Sequence, residues 1–201
     1  MTNDTVEAAE SAPHKKAAER VFEAAQSLFY EKGIRAVGVD EIVSRAGVTK
    51  PSLYRAFASK DALVAACLQA AGDSNRAAVE QAIRAAGTDP RAQLLAVVRY
   101  KAAKMADSDF RGCPMANIAA EFAEADHPGR VVAAACKAEI RGRLAEVAAA
   151  IPVARPEVLA DGLLMLIEGA FSLYCGCGCS ELPAILERNA ELLIDAHRAA
   201  A

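Results

Sequence analysis

The stretch Val39-Asp-Glu-Ile-Val-Ser-Arg-Ala-Gly-Val-Thr-Lys-Pro-Ser-Leu-Tyr-Arg-Ala-Phe57 holds two short amphipathic segments joined by Ala46-Gly47-Val48. The spacing predicts helices over 39–46 and 49–57, linked by a tight turn that Gly47 permits. Asp40 and Glu41 fall in the first turn of the first segment, where carboxylates oppose the positive end of the helix dipole. Thr49 stands at the cap of the second, and Pro51 follows in its first turn, where a missing N–H costs nothing. Ile42 and Ala46 face inward, Val48 plugs the turn, and Leu53, Phe57 and the ring of Tyr54 complete a small core. These are helix-turn-helix dimensions, and spacing alone also fits an αα-corner that binds nothing.

Working outward, Ala18, Val21, Phe22, Ala25, Leu28 and Phe29 recur at three- and four-residue steps between Lys15 and Lys32, which predicts a supporting helix closed by Gly33. On the other side, Ser59 caps a helix that begins at Lys60. The outward residues of the 49–57 segment are Thr49, Lys50, Ser52, Tyr54 and Arg55, all able to donate hydrogen bonds. A recognition helix presents such residues to base edges in the major groove. Lys15, Lys16 and Lys60 flank it at the starts of neighbouring helices, where phosphate contacts would set register. Charge agrees with this division. The 201-residue chain has a net charge of −3, yet residues 13–60 carry nine Lys and Arg against five Asp and Glu. A basic segment inside an acidic chain is the footprint of a polyanion site.

The run from Arg20 to Gly33, the run from Val39 to Phe57 and Ser59-Lys-Asp-Ala-Leu63 together closely resemble the TetR/AcrR family of repressors. In that family the third helix reads the operator and the start of the fourth touches phosphate. The resemblance therefore implies DNA-contact roles for Thr49, Lys50, Ser52, Tyr54, Arg55 and Lys60. Val37 and Gly38 stand where the family usually has Thr or Ser, so a capping hydroxyl that touches phosphate is missing. Arg55 and Ala56 replace a commoner His or Tyr pair, so the operator sequence is not transferable. The resemblance also implies a palindromic double-stranded DNA operator, a homodimer and a small-molecule effector.

The rest of the chain reads as helix. The hydrophobic share is 54%, rich in Ala and without Trp, and strand-like alternation is absent. The expected fold is all-α: a tail over 1–13, a helix-turn-helix domain over 14–60, and an effector-binding and dimerisation domain over 61–201. Helices are predicted at 60–86, 89–107, 114–124, 128–150, 156–175 and 181–199. The segment Val158–Tyr174 is apolar nearly all round and requires burial on several sides. Leu159, Leu163 and Leu166, with Ile185, Leu186 and Leu193 from the last helix, are the expected dimer face; burial within one chain would also satisfy them. Tyr100, Phe110, Cys113, Met115, Asn117, Phe122, Met165, Glu168, Phe171 and Tyr174 are the expected lining of an effector pocket, since such sites are apolar with a few polar groups. Met105 is a further candidate.

Cysteine suggests an alternative function: a thiol- or metal-based redox or electrophile sensor on the same scaffold, using Cys113 or Cys175, Cys177 and Cys179. Arg111-Gly-Cys-Pro-Met-Ala-Asn-Ile-Ala-Ala-Glu121 looks like a motif of one family subgroup, some members of which respond to electrophiles or oxidants. Cys113 also sits at a helix start, where the dipole lowers a thiol pKa. Cys175-Gly-Cys-Gly-Cys179 gathers three thiols, but alternate positions of a helix diverge and no fourth ligand is near. No metal and no cofactor are expected. Enzyme chemistry is not expected either: a catalytic Cys113 would need a positioned His, and of His14, His127 and His197 only His127 is plausible. The first residues are polar and acidic, and Asp161 and Glu168 interrupt the most apolar stretch, so a cytoplasmic protein with no membrane partner is expected.

Overall fold

Residues 16–199 are described by a computed structural model, and those residues form nine α-helices and no strand. The tail expected over 1–13, together with His14 and Lys15, lies outside the described residues. The N-terminal unit is α1 (Ala17–Lys32), α2 (Val39–Ala46) and α3 (Lys50–Ala56). Then follow α4 (Lys60–Ala85), α5 (Pro90–Lys104), α6 (Pro114–Glu121), α7 (Pro128–Ala148), α8 (Pro156–Cys177) and α9 (Leu182–Ala199). Gly47 closes α2 in the left-handed region, at φ +61°, where a side chain would be strained. Ser59 caps α4 as expected, its hydroxyl accepting the Ala62 N–H at 3.0 Å.

Two apolar cores form. In the first, Val21, Ala25 and Leu28 of α1, Ile42 of α2 and Leu53 of α3 are fully buried together with Leu63, Val64 and Ile118. Full burial of each large aliphatic side chain stabilises by about 1.5–3 kcal/mol. The recognition unit therefore does not stand on its own core; it shares one with α4, α6 and the first half of α7. Gly129 of α7 allows this close approach. A Cβ there would lie 3.0 Å from Leu68 and Val64 side chains and would collide with Ile118. The second core joins α5, α7, α8 and α9 through Leu94, Leu144, Leu159, Leu163 and Ile194. Arg91 and Asp195 tie α5 to α9 with two bonds of 2.9 Å, which hold the Asp195 carboxyl below its usual range.

Helix α8 is long and apolar enough to cross a membrane by length and composition. Here its Leu159, Leu163, Ile167 and Phe171 face the core, while Met165 is 69% exposed and Leu173 59% exposed. Of the expected dimer face, Leu159, Leu163 and Leu186 are buried within the chain's own core, and Leu166 and Leu193 pack against it half-buried. Only Ile185 is exposed. A helix apolar on most faces has no periodicity to say which side faces inward, so its sequence requires burial without giving the direction.

Candidate nucleic-acid interface and effector cavity

Helix α3 buries Leu53 and turns its other side chains outward. Thr49, Lys50, Tyr54 and Arg55 are exposed and Ser52 is half-buried. Tyr54, expected to lend its ring to the core, is 50% exposed and belongs to the outer face. Thr49 occupies the cap position, but its hydroxyl lies 3.0 Å from that of Ser52 instead of accepting a backbone N–H. Lys50 pairs with Asp40 of α2 at 2.8 Å, and that bond raises the lysine pKa. The pair is open to solvent, so a phosphate can take the place of the carboxylate. Arg55, Lys16 and Arg45 have no side-chain ion pair among the described residues; Arg45 went unnoticed in the sequence. Gly38 stands at the start of α2 without a side-chain cap, as its missing hydroxyl requires.

Lys60 departs from expectation. Its ammonium donates to the Ile34 carbonyl at 2.6 Å and lies 5.9 Å from the centre of the Phe29 ring. Burial lowers its pKa. The residue anticipated at a phosphate here bonds to the turn between α1 and α2. Other bonds converge on that turn. The Glu121 carboxylate, at the end of α6, accepts the N–H of Ile34 at 3.0 Å and of Arg35 at 2.7 Å. The Arg35 guanidinium lies 4.8 Å above the Phe122 ring. Nearby, the Tyr30 hydroxyl accepts the Arg111 N–H at 2.8 Å and donates to the Gly112 carbonyl at 3.3 Å. The recognition unit is thus fastened to the loop before α6 and to the end of α6.

Those same elements wall a cavity of about 1030 Å³. Seven of the expected residues, Tyr100, Phe110, Cys113, Met115, Asn117, Glu168 and Phe171, line it. The two polar members find partners: Asn117 donates to the Arg111 carbonyl at 3.0 Å and Glu168 pairs with Lys137 at 2.7 Å. The other three anticipated lining residues lie elsewhere. Phe122 packs between Arg35 and the His127 ring, 4.2 Å away, because α6 ends at Glu121 rather than at 124. Met165 points to the surface, and Tyr174 backs the wall with its ring edge on Phe110 at 5.8 Å. Met105 is buried in the second core. Tyr30, Asn75, Lys101 and Lys137 also line the cavity and were missed. Lys101 could have been found: Leu94, Val97 and Val98 lead to it at helical spacing, so it continues an apolar stripe.

The cysteines fit chemistry poorly. Burial pushes the Cys113 thiol up, against the downward pull of the Ala116 and Met115 N–H groups at the start of α6, so the expected activation by the dipole is outweighed. Cys67 is pushed up to about 12 by burial. His127 does not reach the cavity. Its Nδ1 accepts the Gly129 N–H at 3.1 Å at the start of α7, so no Cys113–His127 pair exists. Cys175 and Cys177 lie inside α8, and no metal-ligand cluster occurs among the described residues.

Comparison with known proteins places this arrangement. A TetR transcriptional regulator from Streptomyces avermitilis, sav143, is 30% identical, with 91% of this chain and 98% of that one covered and a TM-score of 0.81. The chain belongs to the TetR family of transcriptional regulators. Residues 21–67 match the family described as bacterial regulatory proteins, tetR family, which is the recognition unit and the start of α4. SCO4454, a TetR-family transcriptional regulator from Streptomyces coelicolor, superposes with a TM-score of 0.86 at 28% identity, over 90% of this chain and 96% of that one. The HTH-type transcriptional activator FasR from Mycolicibacterium smegmatis is 47% identical over 75 residues, 37% of this chain and 34% of FasR, so the likeness spans only about a third of that protein. TetR-family regulators act by binding operator DNA and by dimerising, not by catalysis.

Proposed function

We propose that this TetR-family chain is a ligand-responsive, sequence-specific repressor, which binds a palindromic operator as a homodimer and releases it when a small molecule fills the cavity. One observation carries the reading: the cavity wall and the recognition unit share bonds. The Tyr30 hydroxyl bridges to Arg111 and Gly112 of the wall, and Glu121 holds the turn that leads into α2. A ligand that displaces this wall must strain or break bonds that set the attitude of α2 and α3. It can shift the protein between two states only by binding them unequally, and these contacts provide that inequality.

Residues 14–60 supply DNA recognition and 61–201 supply effector binding and dimerisation. Thr49, Lys50, Ser52, Tyr54 and Arg55 read base edges, with Lys15, Lys16 and Arg45 at phosphates. Lys60 acts through the Ile34 turn. The dimer face is the apolar surface that one chain leaves open on α8 and α9, formed by Met165, Leu173, Ile185 and Leu192. A twofold axis through it pairs two recognition helices with half-sites about 34–36 Å apart. The protein works in the cytoplasm and needs no membrane. Repression follows from occupying a promoter, and a reporter assay separates it from activation of the kind named for FasR. The test is selection of bound DNA from a random pool, followed by footprinting of the selected site and a screen for compounds that release it. An asymmetric site, or binding indifferent to sequence, would contradict the proposal.

A further inference from the structure

Between α5, α7 and α8 the cavity gathers a local charge that does not balance. Lys101 of α5, Lys137 of α7 and Glu168 of α8 line it together. Glu168 is committed to Lys137 at 2.7 Å. The hydrogen-bond partner of the Lys101 ammonium is the neutral side-chain oxygen of Asn75, with the Tyr100 ring 5.3 Å away. Two ammonium groups thus share one carboxylate. A half-buried cation without a counter-ion is costly, and the usual remedies are neutralisation or a partner of opposite charge. Burial lowers the Lys101 pKa accordingly. Cys113 is no remedy, since burial also keeps its thiol protonated. Around this charge the walls are apolar, with Phe110 and Phe171 edge-to-face at 4.9 Å and Ile140 and Ile167 beside them.

We infer that the effector is a monoanion, with a carboxylate or similarly acidic group held by the Lys101 ammonium and an apolar body resting on Phe110, Phe171 and Ile140. This deepens the reading of the cavity as the effector site and rests on it. One anionic charge completes the inner balance. A polyanion is disfavoured, because Glu23, Glu31, Asp107, Asp109 and Glu121 also line the cavity, against Lys104 and Arg111. The size fits, since sites for drug-sized molecules span about 300–1,000 Å³.

The test uses the full chain and matched probes: phenyl-, naphthyl- and biphenyl-acetates, the corresponding neutral acetamides, and the corresponding ethylamines, each titrated calorimetrically. The expected result is that acetates bind at least about tenfold more tightly than amides or amines, the effect of one charge-assisted hydrogen bond. Lys101→Met is expected to abolish that preference while leaving amide affinity unchanged. Lys137→Met leaves one ammonium to the one carboxylate of Glu168 and is expected to weaken that preference. The unliganded Lys101→Met protein is expected to melt no lower than the parent, because it loses an unbalanced cation, and this checks that the variant folds. Amides or amines binding as tightly as acetates, or a preference that survives Lys101→Met, would overturn the monoanion while leaving the cavity as a ligand site. If no probe binds, both the monoanion and the cavity reading fall.

Discussion

Replacing Glu121 with Ala removes the two bonds that join α6 to the recognition unit, and their sizes are unequal. The Ile34 residue is 5% exposed, so its N–H, now at 3.0 Å from the carboxylate, has no ready substitute in water. Leaving such a group unsatisfied costs about 1–3 kcal/mol. Arg35 is exposed, and its N–H, at 2.7 Å, turns to solvent for a loss of about 0.5–1 kcal/mol. Together the turn is weakened by about 1.5–4 kcal/mol, and 2 kcal/mol is about 30-fold in a local opening equilibrium. Amide hydrogen exchange reads this directly. In Glu121→Ala the Ile34 amide should exchange about 30-fold faster, while the Leu94 and Leu144 amides of the second core keep their rates. Glu121→Gln keeps one acceptor oxygen without the charge, so it should fall between parent and Ala. The same substitution should reduce the ligand-induced loss of DNA affinity, since two of the bonds that carry it are gone. An Ile34 amide unchanged in Glu121→Ala would refute the assigned role of the carboxylate. Accelerated exchange with full ligand response would show that the wall communicates by another route.

Met165→Glu places a carboxylate on the open apolar face of α8 and should shift the protein to monomer in sedimentation at micromolar concentration, with operator affinity falling in parallel; a stable dimer would show that the chains pair elsewhere. Arg55→Ala removes a recognition-helix cation that has no ion pair among the described residues, so it should cost about 1–3 kcal/mol of operator affinity at unchanged melting temperature. Loss that is equal on every DNA sequence would place Arg55 at phosphate instead of base. Cys113→Ser should retain effector response, and the Cys113 thiol of the parent should react with iodoacetamide at pH 7 more slowly than exposed Cys175. Faster reaction at Cys113 would revive the thiol-sensor reading.

The helix-turn-helix was legible because its determinants are local. Ile42, Ala46, Gly47 and Leu53 fall within one short stretch, and the turn glycine adopts the left-handed conformation its position demands. Helix boundaries beyond it followed from Pro and Gly breaks, so α7 starts at Pro128 and α8 at Pro156 as expected. What stayed hidden depends on distant partners. Nothing near Lys60 in sequence marks its bond to Ile34, and Glu121 meets Ile34 and Arg35 from far along the chain. Phe122 meets Arg35 and not the cavity because α6 ends at Glu121 rather than at 124. The α8 leucines show a different limit. Where all faces of a helix are apolar, sequence predicts burial but not direction, and Leu159 and Leu163 went inward while Met165 and Leu173 stayed out.

The account stands most directly on a salt-controlled footprint of the purified protein on its selected site, with and without an effector found by screening. It predicts protection symmetric about a twofold, with half-sites centred about 34–36 Å apart and affinity falling steeply as salt rises. Adding the effector should erase the protection, and should do so less in Glu121→Ala. Protection of a single half-site, or a footprint that persists with the cavity filled, would contradict it.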